Sequence, residues 1–216
     1  MSGLKISSHR HLASVAEHQT FCSIMVVQEL VEIEIKLKFP DISRLSASGM
    51  NVQEMKPRHF EENWLFDSAE ETLRKRGSAL RIRIVDGLGT ITFKGPAQPG
   101  ERFKVREELE TEISDPRLMM LILERIGYRP VFSYQKYRTV YRLVLPDGSL
   151  LDAMYDETPI GNFLELEGPR QAILDAAGLL GYSQEEFITA SYIALQAERC
   201  KQEGLPLKDM VFQNSQ

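Results

Sequence analysis

One run of nine residues, VEIEIKLKF from Val31 to Phe39, constrains this chain more than any other. Apolar and charged residues alternate through it without a break. Val31, Ile33, Ile35, Leu37 and Phe39 fall on one face; Glu32, Glu34, Lys36 and Lys38 fall on the other. A period of two is that of a β-strand. The alternation returns down the chain. Arg81 and Arg83 oppose Leu80, Ile82 and Ile84, and Lys94 shares a face with Thr90 and Thr92. Lys104, Arg106, Glu108, Glu110 and Glu112 oppose Phe103, Val105, Leu109 and Ile113. Lys136, Arg138 and Arg142 are in phase, Asp152 is in phase with Met154, and Glu165 and Glu167 oppose Leu164 and Leu166.

The segments between these strands carry helix and turn signals. DISRLSASG reads as a short helix closed by Gly49. Val52 to Phe66 is strand-like, with Pro57 marking an edge or bend. Ser68 and Glu71 suggest a capping box for a short helix that stops at Gly77. A DGLG turn joins ALRIRI to TITFKG as a hairpin. Asp115 as N-cap and Pro116 at the first helical position open a helix that ends at Gly127. Strands follow at Ser133–Leu145, Ser149–Asp156 and Asn162–Gly168. The chain then turns helical, first over Pro169–Leu180, then from about Glu185 to Cys200 behind a Ser183/Glu186 capping box. The pattern predicts an α+β fold of about eight mainly antiparallel strands with helices outside them.

A single strand with one charged face is an ordinary half of a wet sheet. Here nearly every strand has one, so the charged face is as extensive as the sheet. The helices are amphipathic, with Leu118, Leu121, Ile122 and Ile126 on one side, and are expected to cover the apolar face. If the sheet rolls into a barrel, the charged face becomes its interior. Buried charge without partners is costly, so such a lining implies mutual pairing and a polyvalent guest. Arg and Lys suit a polyphosphate, and Glu and Asp suit hard divalent cations. Together they describe a metal–polyphosphate complex. An open sheet with a solvated charged face is the plainer alternative. The mixed signs of Arg106 to Glu110 are not required by it.

Composition narrows the classes. With 216 residues and a hydrophobic fraction of 43%, the chain can build one large domain. A net charge of −5 argues against general nucleic-acid binding, which needs a basic footprint. Two cysteines, Cys22 and Cys200, fit a reducing compartment, and a cytoplasmic location is the expectation. No apolar run is long enough to span a membrane. Residues 1–27 show no sustained period and are expected to be a disordered or non-native extension, with Met25 as a candidate start. His9, His11 and His18 in it are better read as part of a tail than as a metal site. Residues 28–204 form the expected domain and 205–216 a flexible tail. A homodimer is left open.

Several of these residues fall into motifs that resemble one family. Glu32-x-Glu34-x-Lys36 resembles the signature of the CYTH superfamily, the triphosphate tunnel metalloenzymes. The likeness continues in order through LFDSAEETL, then Gly77-x-Ala79-Leu80-Arg81-x-Arg83, then Lys94 in T-x-K-G-P. Arg106-x-Glu108-x-Glu110, Lys136-x-Arg138, Leu151-Asp152 and Gly161-x-Phe163-x-Glu165-x-Glu167-Gly168 follow, over roughly residues 29–200. The resemblance implies an eight-stranded antiparallel tunnel that processes a triphosphate with Mg²⁺ or Mn²⁺. By position, Lys36, Lys38, Arg81, Arg83, Lys94, Arg106, Lys136 and Arg138 would grip the triphosphate. Glu32, Glu34, Glu108, Glu110, Asp152, Glu165 and Glu167 would hold metal or position water. Glu34, Lys94 and Arg83 are the expected catalytic residues.

The same resemblance leaves the reaction open. Members include triphosphate hydrolases and class IV adenylyl cyclases, which share a lining and differ in which phosphorus meets the attacking oxygen. Hydrolysis of tripolyphosphate or of a nucleoside or organic triphosphate is the leading expectation. Cyclisation of ATP to cyclic AMP and pyrophosphate is the second, and non-catalytic binding of nucleotide or polyphosphate the third. Animal thiamine triphosphatases carry a Trp two positions before the Arg pair, where this chain has Ala79. The aromatic-aromatic-Asp-Thr element appears as Leu65-Phe66-Asp67-Ser68, which leaves the role of Asp67 open. Trp64 and Tyr192 read as packing residues.

Overall fold

The computed structural model describes residues 31–213, and the leader with its three histidines and Met25 lies outside them. Eight strands close into a barrel in the order β1-β5-β4-β3-β2-β6-β7-β8. They are β1 (Val31–Lys38), β2 (Asn51–Ser68), β3 (Ala79–Val85), β4 (Leu88–Lys94), β5 (Lys104–Ile113), β6 (Tyr128–Val144), β7 (Leu150–Thr158) and β8 (Gly161–Glu167). The antiparallel β1–β8 seam completes the closure, with Glu34 opposite Glu167 and Lys36 opposite Glu165. Closure leaves no second solvated face, so the alternating charges turn inward.

The helices are α1 (Ser43–Ser46), α2 (Thr72–Lys75), α3 (Pro116–Arg125), α4 (Arg170–Leu179) and α5 (Tyr192–Gln202). The main core lies outside the barrel wall. Ile35, Leu37, Leu143, Leu164 and Leu166 pack there against Ala172, Ile173 and Ala176 of α4. Each buried Leu or Ile side chain there contributes about 1.5–3 kcal/mol. On another side, α3 covers Phe66 and Ile82, and Trp64 is one of the half-buried residues packed there.

The β3–β4 hairpin forms as expected. Asp86 and Gly87, at φ 50° and 83°, make the two-residue turn with both residues left-handed. Gly89 follows because a Cβ there would sit 2.5 Å from Ile113 and 2.7 Å from Pro116.

Four expectations change. First, α3 turns its other face to the barrel. Met119, Met120 and Leu123 pack inward, while Leu118, Leu121, Ile122 and Ile126 are exposed. Both sets obey helical spacing, so periodicity alone could not choose between them. Second, α2 has no Ser68–Glu71 capping box. Glu71 is its N-cap, with no side-chain cap bond of its own, in a left-handed conformation at φ 55°. The Asp67 carboxylate instead accepts from the backbone N–H groups of Ser68, Leu73 and Arg74 at 2.8, 3.0 and 2.9 Å. A two-oxygen acceptor outcompetes a hydroxyl for that many donors.

Third, the last helix is broken. The Ser183/Glu186 capping box forms, yet it caps only a 3₁₀ turn over Gln184–Glu186. The chain then extends, and Ile188 exchanges two backbone hydrogen bonds with Lys36, at 2.9 and 2.8 Å. That exchange occupies the edge of β1 turned away from β8. Ser191 starts α5 afresh by accepting from the Ala194 N–H. Fourth, the stretch expected to be a flexible tail is tied to the barrel as far as Phe212. β6 pairs with β7 only over Tyr137–Val144. Before that, Met210 takes the open edge, bonding Ser133 and Gln135 at 3.0 and 2.9 Å, and its side chain is buried.

Candidate functional site: a charged tunnel

The barrel encloses a cavity of about 440 Å³ whose wall carries both signs of charge. The first cluster spans β1, β4 and β5. Lys104 Nζ lies 2.7 Å from Glu34 Oε1. Glu108 receives Arg106 Nε at 2.8 Å on one oxygen and Lys94 on the other. The second cluster spans β1, β6, β7 and β8. Glu165 joins Lys36 at 2.8 Å and Arg138 at 2.5 Å. Arg138 also donates to both oxygens of Asp156 at 2.6 Å, and Lys136 donates to Asp156 at 2.9 Å. The Tyr192 hydroxyl donates to the same carboxylate at 2.7 Å. The third cluster is on β3 and β5, where Arg83 and Arg81 approach Glu110 at 3.0 and 3.5 Å.

These pairings divide the carboxyl groups into two kinds. Burial pushes Glu34 up, but Lys104, Lys36 and Lys94 outweigh it and hold the group at about 2. Glu165 is likewise held well below the usual range, as Lys36 and Arg138 overcome burial. Glu32 and Glu167 have no ion-pair partner among the described residues. Burial and the charges of Glu167 and Glu108 push Glu32 up to about 8. Burial and the charges of Glu34, Glu165 and Glu108 push Glu167 up to about 7. Lys94 moves the other way. Burial, Arg81 and Arg106 bring it down to about 7 in spite of Glu108.

Among the described residues, no three His, Cys, Asp or Glu side chains are already gathered as a metal site. The donor chemistry nevertheless fits a hard divalent cation. Glu32, Glu108 and Glu167 are oxygen donors, and burial together with the negative charges around them raises Glu32 and Glu167 to about 8 and about 7. A cation is what relieves such crowding.

All but two of the sequence-predicted site residues line the cavity. Glu32, Glu34, Lys36, Arg81, Arg83 and Lys94 do so from β1, β3 and β4. Arg106, Glu108, Glu110, Lys136, Arg138, Glu165 and Glu167 do so from β5, β6 and β8. Lys38 and Asp152 lie off that wall, although both are in phase with it. Lys38 is the last residue of β1, level with Phe163, and is exposed. Asp152 stands near the other end of the seam and is held by Arg142 at 2.5 Å, both side chains about 40% exposed.

Four residues escaped the sequence reading of the site. Asp156, fully buried, is two positions past Met154 and so in phase with it. Lys104 is in phase with the charged face of β5 but belongs to none of the family motifs. Glu61 on β2 is buried, opposite Lys136, and approached by Lys136 and Arg83 at 3.5 and 3.7 Å. Its neighbour Glu62 blurred the alternation there. Tyr192, expected to be a packing residue, also borders the cavity, with Lys36 Nζ 4.6 Å from its ring centre. Asp67 borders the cavity as well as capping α2.

The likeness to known proteins agrees with this geometry. A model of the CYTH domain matches residues 30–192. An adenylate cyclase candidate from Methanocaldococcus jannaschii is 29% identical over 181 residues, covering 77% of this chain and 99% of its own. The adenylate cyclase CyaB of Aeromonas hydrophila is 28% identical over 178 residues, covering 76% and 87%. Among solved structures, an adenylate cyclase candidate from Vibrio parahaemolyticus shares the fold with a TM-score of 0.64 at 19% identity, covering 74% of this chain and 94% of that one. An adenylyl cyclase candidate from Hippeastrum, described as having a dominant triphosphatase activity, matches with a TM-score of 0.54 at 25% identity, covering 82% and 97%. The closed antiparallel barrel, its inward charges and the match over most of its length place this chain in the CYTH family, the triphosphate tunnel enzymes.

Proposed function

We propose that the protein hydrolyses a triphosphate inside the barrel with a divalent cation, Mg²⁺ or Mn²⁺. The observation that carries this reading is the tunnel wall itself. Lys36, Arg81, Arg83, Lys94, Arg106, Lys136 and Arg138 all face one cavity that also holds clustered carboxyl groups. A polyphosphate chain matches the bases, and the carboxyl groups are redundant for an anion binder.

The basic side chains would exchange their carboxylate partners for phosphate oxygens, with Arg donating in pairs and Lys as a mobile point charge. Arg83 and Arg81 would neutralise charge growing on the phosphoryl group. Glu34 stays ionised and keeps Lys104 in place. Lys94, poised at about 7, can release a proton near neutral pH or hold one. Glu32, Glu108 and Glu167 would hold the cation, with Glu34, Glu110 and Glu165 around them. When bound, the cation supplies neutralisation of phosphate oxygens and a water of lowered pKa. A water held on the carboxylate side would attack the terminal phosphorus and give its proton to a neighbouring carboxylate. Its P–O bond forms as the bond to the diphosphate leaving group breaks, and the leaving oxygen's charge falls on the bases.

Cyclisation of ATP is the second reading, favoured by the adenylate cyclase names of the curated relatives. The dominant triphosphatase activity described for the Hippeastrum protein favours hydrolysis as the lead. The test is phosphorus NMR of the products after incubation with Mg²⁺ or Mn²⁺ and, separately, tripolyphosphate, ATP and thiamine triphosphate. Orthophosphate is the expected product. Cyclic AMP with pyrophosphate would replace the leading reading by the second. No product from any substrate would favour a binder.

A further inference from the structure

The cavity wall is not charged all round. Leu65, Val131, Ile193 and Leu207 also border it. They come from four places in the chain: β2, β6, the first turn of α5 and the segment after α5. Leu65 and Ile193 pack on an aromatic cluster that includes Phe132, Tyr134 and Tyr192. Val131 and Leu207 are 41 and 47% exposed. By contrast Lys36, Arg81, Lys136 and Arg138 are buried. Exposure therefore sets the depth, with these bases inside and an apolar patch where the cavity meets solvent. One exposed aliphatic side chain needs no explanation. Four that converge on an otherwise charged cavity have the composition of a ligand pocket.

Leu207 is held at this mouth by the strand that follows it. Met210 forms a parallel bridge with Tyr134, and the Asp209 carboxylate accepts from the Ser133 N–H at 2.7 Å. Three residues before the bridge, on the two sides of it, stand Val131 and Leu207. The matched CYTH region ends at residue 192, so this part of the mouth is built by a segment beyond it. The half-buried polar residues Glu71 and Ser78 border the same cavity. An inorganic polyphosphate gains nothing from such a patch, because burying its charged oxygens against aliphatic carbon costs hydration. An organic group does gain. A flat ring buries its faces on aliphatic side chains and keeps its edge heteroatoms for polar ones.

We propose that the substrate is an organic triphosphate ester whose ring-bearing group, with the apolar faces and polar edge of a nucleobase, sits at this mouth on Leu65, Val131, Ile193 and Leu207. Its phosphates lie deeper, among the buried bases. This rests on the reading of the tunnel as a triphosphate site and adds the class of substrate to it. Leu207 and Val131 are then specificity-determining residues, acting on the organic end of the substrate alone.

Calorimetric titration of the full chain without metal, which avoids turnover, tests this with ATP, CTP, thiamine triphosphate and methyl triphosphate. Methyl triphosphate carries the same phosphate chain and no ring. At least one ring-bearing ester should bind more than about tenfold tighter than methyl triphosphate. Leu207→Ser with Val131→Ser should cut that preference at least about fivefold. A change that merely loosened the barrel would weaken all four ligands alike and leave the preference intact. Both side chains are partly exposed, so the double variant should remain folded by circular dichroism. Equal affinity of the wild type for all four ligands would overturn the proposal. So would a preference that survives the double substitution. Failure of all four to bind, methyl triphosphate included, would instead sink the triphosphate reading of the tunnel and this inference with it.

Discussion

Asp156 is the residue on which the basic side of the tunnel depends. Its carboxylate accepts from Lys136, from Arg138 and from Tyr192, and it is fully buried. Removing one member of a buried ion network leaves its partners uncompensated. Asp156→Asn should destabilise the protein by about 3 kcal/mol. It should also lower kcat/KM at least about tenfold, because two of the bases proposed to hold the triphosphate lose their anchor. Tyr192→Phe removes one hydroxyl donor and should cost only about 1 kcal/mol. Chemical denaturation of both variants, alongside initial rates, checks that order. Equal effects would mean that the carboxylate does not organise the pair. The sequence held the signal for Asp156, since it continues the phase of Asp152 and Met154. The family pattern marks Asp152, nearer the strand start, whereas closure of the barrel buries Asp156 among the bases.

At the scale of elements, strands were legible and helix orientations were not. Strand alternation is tied to the face a residue occupies, so VEIEIKLKF fixed which side chains would meet. Helix α3 satisfies helical spacing twice, through Met119, Met120 and Leu123 and through Leu118, Leu121 and Ile122. Only the shape of the barrel wall decides between them. The break before α5 was hidden for a related reason. The Ser183 capping box is genuine, but the unfilled edge of β1 at Lys36 draws Ile188 out of helical geometry. Local signals carry no information about a partner 152 positions away. The capping of α2 by Asp67 gives a test at this scale. Asp67→Ala removes the acceptor for three N–H groups and should cost about 1–2 kcal/mol in a denaturant melt. Ser68→Ala should cost less, since its hydroxyl accepts from one backbone N–H, that of Thr72 at 3.2 Å, and otherwise bonds only the exposed Thr72 hydroxyl at 2.8 Å.

For the whole molecule, the charged interior links stability to pH. In the folded, metal-free chain Glu32 and Glu167 hold protons up to about 8 and about 7, whereas the free side chain releases them at 4.5. The folded state therefore binds more protons than the unfolded one across that window. Stability falls as pH rises through it. Lys94 acts oppositely above about 7, because the folded state loses a proton that the unfolded chain keeps up to 10.5. The metal-free protein should thus melt at a lower temperature at pH 7 than at pH 5.5. Glu32→Gln with Glu167→Gln should flatten the difference. A wild-type melting temperature that climbs over this range would contradict the assigned environments. The same two groups should give up protons when a divalent cation binds.

The closed barrel also explains why no single strand could reveal the function. Each charged face alone is an ordinary wet surface, and only the ring of eight makes it a tunnel. The most direct test of that tunnel as a triphosphate site is the rate of phosphate release, with Mg²⁺ or Mn²⁺ present, by wild type, Glu34→Gln and Arg83→Ala. Each variant should lose at least about a hundredfold in turnover. Both variants should remain folded at the assay temperature by circular dichroism, which separates loss of chemistry from loss of fold. Wild-type-like rates in both variants would contradict the assignment of the charged lining to triphosphate chemistry.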